Sequence, residues 1–443
     1  MRAPAVSRRV LASTLLLSGL ISCHRNPETA QAGEPAPVIP IPPPLAPTEN
    51  LCEGLVADLN PHPLTALSKP RPGQTVVDPQ FRTKIHRISA AAPSEGANAV
   101  IKPMYGTIQA WNADESRLLL WHRERGHELY DGRSYQFLRS LQLVSPTDIE
   151  HLLWDPVDPD VFYYPSNSNA TPNLMRYRVS TDKSDVLRRF EGCPVGDWGR
   201  LLSLGTDPMY LSWGAIERVI GLSCGESKFL YDVVTDNVLG QGNAPGRVAP
   251  QPGPSGRLAY YDGRVYDALF RPLRTLRLAN PYEHASLGRS AKTGHDHYNA
   301  VIFDPPSGGS SAAEVGTLVT FDMETGERRV VVGPSTGFPY PPAGTHISAI
   351  AHKRPGWVAV SVVGAPRGQT LLDGELLLAN IDTGAVCRVA HHRSYAGEGR
   401  WGYFGEPHVV VSPSATRLLF GSDWGNGDTV DTYVVELPSY EAR

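Results

Sequence analysis

Short runs of alternating hydrophobic and polar residues, separated by turn-forming residues, recur from about residue 105 to the end of the chain. The clearest unit covers residues 405–425, where His408 opens a short strand and Ser412-Pro413-Ser414 forms a turn. A second apolar strand follows at residues 417–420. Proline fixes φ, serine side chains bond nearby backbone, and β-branched or aromatic residues favour strands. The pattern therefore predicts a succession of antiparallel hairpins.

The hairpins form a repeated unit with two parts. An inner pair of strands surrounds a polar turn, and an outer hairpin is centred on an Asp/Thr/Gly turn. Successive inner turns lie roughly 40 to 60 residues apart, which is typical of four-stranded propeller blades with loops of variable length. The inner turns fall at residues 112–115, 155–156, 253–256, 354–356 and 412–413, with weaker copies of the unit at 199–240 and 291–303 in the two wider intervals, and the outer turns fall at 235–237, 324–326 and 382–384.

This repeat predicts an all-β fold, a seven-bladed β-propeller, with six blades as the alternative. Residues 80–89 alternate well enough to supply the outer strand that closes the ring onto the last blade. A β-sandwich with insertions is the competing fold, because it also consists of short strands and turns.

The first 50 residues are expected to be a targeting segment and a spacer. Arg2, Arg8 and Arg9 precede an apolar run that ends in Leu20-Ile21-Ser22-Cys23. This run is short for a transmembrane helix, and its end resembles a bacterial lipoprotein lipobox, in which the cysteine becomes the lipidated first residue. The proline-rich residues 26–50 are expected to form an extended tether. The predicted organisation is a signal peptide at 1–22, a lipidated Cys23 with tether at 23–50, and a propeller domain at 51–443.

This resemblance implies an envelope protein anchored in a membrane. The residue after Cys23 is His24 and not Asp, which favours the outer membrane, on either its periplasmic or its surface side. The 443-residue chain has a net charge of -4, so bulk electrostatic binding to nucleic acid is not expected.

Four further cysteines lie in this oxidising context, at positions 52, 193, 224 and 387. The preferred disulfide joins Cys193 to Cys224, with free buried thiols as the equal alternative. No C-x-x-C motif is present, so a thiol-rich zinc site is not expected.

Polar residues recur at the start of the innermost strand of several blades. In a propeller this strand lines the central channel, so side chains from distant blades can meet near the axis. Neutral imidazoles that converge are good ligands for a divalent metal, although each could also cap its strand in a wet channel. Glu283 and Glu406 could orient these histidines or face solvent. The candidate channel residues are Gln109, His151, His284, His346 and His408.

Two family resemblances follow from these residues. The unit around residues 412–420 looks like the WD40-like repeats of TolB-type propellers. The EPH-x3-SP arrangement and the histidines at blade starts resemble oligogalacturonate-lyase-type propellers, in which three His and a Gln hold a divalent metal near the axis. The resemblance implies that His284, His346 and His408 are ligands of one ion (Mn, Zn or Ca), with no other cofactor. It also implies β-elimination on a uronic-acid polysaccharide, with a nearby basic side chain removing the C5 proton.

The chain departs from that family because no glutamine stands just upstream of His408. Arg289 and Arg354 lie near the histidine-bearing strands but are expected to be surface charges. The His295-Asp296-His297 motif follows a turn and does not open an inner strand. Residues 333–337 match the letters of the G-x-S-x-G motif but are expected to form a plain loop. The polar cluster at 391–395 is expected on a solvated blade edge.

Two functions remain open at this point. The first is a lipid-anchored envelope propeller that binds a polysaccharide or a protein on one face of its ring. The alternative is a metal-dependent uronate lyase that uses the blade-start histidines. The catalytic residues of such a lyase are not identified by the sequence.

Overall fold

The computed structural model describes the propeller domain with several gaps. The described residues are 50–166, 172–191, 193, 210–214, 217–245, 248–278, 280–281, 283–302, 315–338, 345–364, 368–395 and 399–441. The predicted signal peptide, the predicted lipidation site Cys23 and all of the predicted tether except Asn50 lie outside them. Among the described residues, no helix is long and apolar enough to cross a membrane.

Within these ranges the chain forms seven antiparallel sheets that follow one another in sequence, as the blades of a propeller do. In chain order, the strands through the fourth blade are β1 (Thr75–Val77), β2 (Lys84–Arg87), β3 (Ile101–Lys102), β4 (Arg117–His122), β5 (Gly126–Asp131), β6 (Phe137–Ser140), β7 (Leu153–Trp154), β8 (Val161–Ser166), β9 (Asn173–Arg178), β10 (Lys183–Arg189), β11 (Val219–Cys224), β12 (Ser227–Asp232), β13 (Asn237–Asn243), β14 (Gln251–Pro252), β15 (Leu258–Tyr261), β16 (Arg264–Asp267) and β17 (Pro272–Thr275). The last three blades contain β18 (His284–Arg289), β19 (Asp296–Val301), β20 (Leu318–Asp322), β21 (Arg328–Val332), β22 (Thr345–Ser348), β23 (Trp357–Val362), β24 (Glu375–Asn380), β25 (Val386–His391), β26 (Val410–Val411), β27 (Arg417–Ser422) and β28 (Asp431–Glu436). Short 3-10 helices occur at Pro93–Asn98, Pro334–Thr336 and Gly402–Gly405.

Seven blades confirm the propeller and exclude both the six-bladed form and the β-sandwich. The blades are β3–β6, β7–β10, β11–β13, β14–β17, β18–β21, β22–β25, and the last sheet with order β1-β2-β28-β27-β26. The third sheet has three strands among the described residues, plus an isolated bridge between Leu211 and Ile220.

The ring closes as the sequence predicts. Strand β2 pairs with β28, and Ile85 lies opposite Val435. The last blade therefore takes its fourth strand from the start of the domain and its inner three from the end. Ile85 and Val435 are both fully buried, so the closure is packed like the rest of the core.

The interior strands are apolar on both faces because each blade packs between two others. In β23 and β27 every residue is buried. Outer strands such as β6 and β17 instead expose apolar side chains, including Phe137 and Leu273, which is ordinary for single surface residues.

A segment before the first blade crosses the sixth and seventh blades, and residues 50–78 are called the strap below. Cys52 forms a disulfide with Cys387 on β25, and Val56 makes a bridge to Arg388. Arg388 is fully buried, forms a bidentate pair with Glu375 and donates to the carbonyl of Asn60. A second disulfide joins Cys193 to Cys224, which confirms the preferred pair.

The strap also corrects the prediction for residues 391–395. His391 and His392 are almost completely buried, and Asp78 of the strap accepts the backbone N–H of His391. Arg393 donates to the carbonyl of Thr65. The sequence suggested a solvated edge because the covering segment lies more than 300 residues earlier in the chain.

Candidate metal centre on the propeller axis

Serine hydroxyls set the register of the innermost strands in blades five to seven. Ser286 accepts a backbone N–H from the sixth blade at 2.9 Å, and Ser348 accepts one from the seventh blade at 3.1 Å. Both bonds span 63 residues. The serines stand two residues after His284 and His346, and side chains two apart share one face of a strand. These hydrogen bonds between blades therefore also align the histidines of neighbouring blades.

The structure brings His284, His346 and His408 together at the axis. The ring centroids of His284 and His346 lie 4.8 Å apart in a stacked arrangement, and those of His346 and His408 lie 4.1 Å apart, edge to face. His346 is 2% exposed and His408 is fully buried. His408 has a φ of 43°, in the left-handed region that a non-glycine residue rarely adopts. Such strain costs about 1 to 3 kcal/mol and often marks functional positions.

Glu406 completes a compact donor group with two of these histidines. One ligand atom each from His346, Glu406 and His408 lies within 4.8 Å of the others. The Glu406 carboxylate is 3.6 Å from His346 Nε2 and 3.5 Å from His408 Nε2. Glu406 therefore faces the histidines, and its side chain keeps 21% exposure. His284 is stacked on His346 and is not part of this donor group of described residues.

The imidazoles of His346 and His408 are neutral. Burial lowers the pKa of both His346 and His408 well below the usual value, and the charge of Lys102 and the neighbouring histidines lower it further. Nδ1 of His346 and both ring nitrogens of His408 are buried without a hydrogen-bond partner among the described residues. A neutral imidazole with a free lone pair is the form that binds metals. Burial also raises the pKa of Glu406 to about 7, against the opposing charge of Lys102.

Three residues that the sequence did not reveal surround the histidines. Tyr105 places its ring 5.3 Å from the rings of both His346 and His408. Tyr403, from the 3-10 helix Gly402–Gly405, lies 4.7 Å from the His408 ring. The Lys102 ammonium lies 4.8 Å from the centroid of the Tyr403 ring. In the sequence, one lysine within the otherwise apolar residues 99–104 was the feature that could have indicated this part of the site.

Tyr403 also links distant blades. Its hydroxyl donates to Glu150, which stands just before the second blade, while Tyr403 itself precedes the seventh. The side chain is 41% exposed, so it lies between the buried histidines and solvent. The hydrogen bond and burial both favour the protonated hydroxyl, and the pKa of Tyr403 is raised accordingly.

The other predicted channel residues have structural partners. The Gln109 amide donates to the carbonyls of Ile350 and Val411, so it ties the first blade to the sixth and seventh. His151 is buried at the start of the second blade, and its Nδ1 lies 3.2 Å from the Thr147 hydroxyl. Glu283 is buried instead of facing solvent.

The remaining motifs lie elsewhere. His295 pairs with Asp322 at 2.8 Å and His297 contacts the Thr320 hydroxyl at 2.7 Å, so this motif belongs to the fifth blade. His295, Asp322 and Glu324 form a second group of potential ligands, of which His295 and Asp322 are already paired and Glu324 accepts the backbone N–H of Asp296. Residues 334–336 form a 3-10 turn, and the Arg289 Nε donates to the Gly294 carbonyl.

Comparisons with known proteins agree on the fold. No protein-family model matches the chain, and no curated protein sequence matches it. An oligogalacturonate lyase solved in complex with manganese aligns with a TM-score of 0.57 and 17% identity, over 86% of this chain and 98% of that one. An oligogalacturonate lyase from Vibrio parahaemolyticus aligns with a TM-score of 0.58 and 14% identity, over 83% and 96%. The Pan2 WD40 domain of Neurospora crassa has a TM-score of 0.44, 12% identity, and coverage of 81% and 96%.

The chain is thus a seven-bladed β-propeller that resembles oligogalacturonate lyase propellers in fold. At these identities the likeness concerns architecture alone. The site adds two neutral imidazoles and a carboxylate at the axis, a donor set that fits a divalent metal ion.

Proposed function

We propose that this protein is a metal-dependent lyase that cleaves uronic-acid glycans by β-elimination, with the ion held by His346, His408 and Glu406. The observation that carries the proposal is the convergence of their three donor atoms within 4.8 Å. The unpartnered nitrogens of the two histidines support it, because buried polar atoms without partners are costly unless a ligand satisfies them.

The donor set narrows the choice of ion. Imidazole nitrogens suit Zn and the carboxylate oxygen suits Mn, whereas Ca is bound by six to eight oxygen ligands. Among Mn, Zn and Ca, the structure therefore favours Mn or Zn. His284, stacked on His346, supports the ring orientation of that ligand and is a candidate for a further ligand.

The metal would act as a Lewis acid on the substrate carboxylate, which makes the neighbouring C5–H more acidic. The protein residues hold and shield this centre. Tyr105 packs against the rings of His346 and His408 and limits their rotation. Tyr403 covers His408 and keeps water from the buried side of the ring. The partly exposed edges of Glu406 and Tyr403 mark the side from which a substrate would approach.

The named activities of the similar structures support this choice over other propeller functions. Two are oligogalacturonate lyases, and one was solved with manganese. The second candidate function is binding of a polysaccharide or a protein without turnover. The near-complete burial of His346 and His408 favours it.

Residues 51–443 give a direct test by metal analysis and by the ultraviolet absorbance of unsaturated uronate products. We expect near-stoichiometric Mn or Zn, and turnover of acidic glycans that a chelator abolishes. His346→Ala and His408→Ala should lose both, and His284→Ala should lose less metal. His352→Ala is the matched control, because His352 belongs to the same blade as His346 but lies outside the donor group.

Metal without turnover on any uronate glycan would contradict the lyase and leave binding of a polysaccharide or a protein as the function to test. Wild-type protein that stays metal-free under metal-replete conditions would exclude the metal-dependent lyase.

We also propose that Cys23 carries a lipid that anchors the propeller to the bacterial envelope, in the outer membrane. Full-length protein should enter the detergent phase and incorporate labelled fatty acid, and Cys23→Ser should do neither. Protease treatment of intact cells would assign the side of the membrane. A mature chain that begins elsewhere than Cys23 would contradict the anchor.

A further inference from the structure

Lys102 is a buried amine beside the axial histidines. It lies on β3 and is fully buried. Among the described residues, its Nζ donates only one long hydrogen bond, of 3.4 Å, to the Met104 carbonyl, and it faces the Tyr403 ring. No described carboxylate forms an ion pair with it within 4.0 Å. Other buried cations of this chain, such as Arg388 and Arg417, have a carboxylate at 2.6 Å.

An ammonium in this position is unfavourable. Removing a charge from water is costly unless a counter-charge and hydrogen bonds replace the solvent. The groups that face Lys102 include Glu150 and Glu406, which favour its charged form, and the neutral His346 and His408, whose pKa values it lowers. Burial outweighs the two carboxylates and lowers the pKa of Lys102 to about 8. The neutral amine is therefore accessible near neutral pH.

We propose that Lys102 is the general base of the elimination, which rests on the lyase function proposed above. Its neutral Nζ takes the C5 proton of the uronate. The electron pair of the C5–H bond becomes the C4=C5 double bond, the C4–O bond breaks, and the leaving oxygen takes a proton from water. The lysine then releases its proton to solvent, which restores the amine and balances the reaction.

The neighbouring side chains are less suited to this role. His346, His408 and Glu406 direct their donor atoms toward one another and are the proposed ligands. The Tyr403 hydroxyl already donates to Glu150, and its pKa is raised, so it is a poor base.

The activity test compares Lys102→Met with Lys228→Met. Lys228 is also fully buried, burial also lowers its pKa to about 8, and it lies in the third blade. We expect Lys102→Met to keep its metal and to lose roughly 10²- to 10⁴-fold in kcat with little change in KM. Lys228→Met should keep kcat near wild type. Small primary amines should partly restore turnover to Lys102→Ala, and the wild-type rate should rise with pH as the Lys102 amine loses its proton.

A second readout needs neither metal nor turnover. Nuclear magnetic resonance titration of the lysine side chains in metal-free protein should show a signal, absent from Lys102→Met, that titrates well below the ordinary lysine value of 10.5. Lys102→Arg, which keeps a charge but cannot deprotonate, should fold and remain inactive.

Three results would overturn the proposal. These are a Lys102 titration at or above 10.5, unchanged kcat in Lys102→Met, and a loss expressed only in KM, which would make the lysine a substrate-binding cation. Wild-type protein that binds metal without turnover would instead defeat the lyase function, and with it this role.

Discussion

At the residue scale, the axial site depends on histidines that are neutral because they are buried. Their placement could be predicted, because a histidine opens each of the last three blades at an equivalent position. Glu406 was an open candidate because it stands two residues before His408, whereas Lys102 could not be predicted, because one lysine in a short apolar strand gives no sign of which side chains it faces. His408 also has an unfavourable backbone conformation, which no sequence motif indicates.

A buried aspartate outside the site predicts how stability depends on pH. Burial alone raises the pKa of Asp78, but contact with the His391 side chain and the backbone N–H groups of Gln80 and His391 outweigh burial and lower it to about 2. The folded pKa is thus below the unfolded value of 3.8. Asp78 therefore contributes about 2 kcal/mol above pH 4, and this contribution is lost as the pH falls toward 2.

Urea unfolding of Asp78→Asn across pH measures this contribution. The variant should be less stable than wild type at pH 7, and the difference should shrink between pH 4 and 2. Asp185→Asn, at an aspartate with 60% side-chain exposure, is the control and should be nearly neutral throughout. An equal deficit for Asp78→Asn at every pH would contradict the assigned cause.

At the element scale, hairpins, outer turns and the closing strand follow from local patterns, whereas the strap does not. Strand alternation and Asp/Thr/Gly turns specify β20 to β21 and β24 to β25 directly. The strap contains little regular structure, and its position is fixed by Cys387, Arg388 and Arg393, which are distant in sequence. For this reason the polar cluster at 391–395 was wrongly expected at the surface.

The strap's disulfide should matter more to stability than the other one. Cys52 and Cys387 are 335 residues apart, and Cys193 and Cys224 are 31 apart. In the chain-entropy account, closing the longer loop contributes roughly 6 kcal/mol and the shorter one roughly 4 kcal/mol. Two double variants, Cys52→Ser with Cys387→Ser and Cys193→Ser with Cys224→Ser, test this by chemical unfolding. The first should lose more of its free energy of unfolding than the second. A larger loss from the shorter loop would show that the strap is held chiefly by its other contacts.

At the scale of the whole molecule, seven blades place the histidines of the last three at one axis. Serine-to-backbone bonds with the same 63-residue spacing connect these blades. The ring closes through β2, so both ends of the domain contribute to the last blade. The repeated strand pattern made the architecture predictable. The ligand, the ion and the chemistry instead depend on a few side chains that differ from blade to blade.

The central claim is that one divalent ion binds at the axis. Anomalous scattering from crystals of residues 51–443 grown with manganese measures this directly. We expect a single strong peak at coordination distance from His346, His408 and Glu406, close to the ring of His284. A peak bound elsewhere, or an axis without anomalous density at saturating manganese, would contradict it.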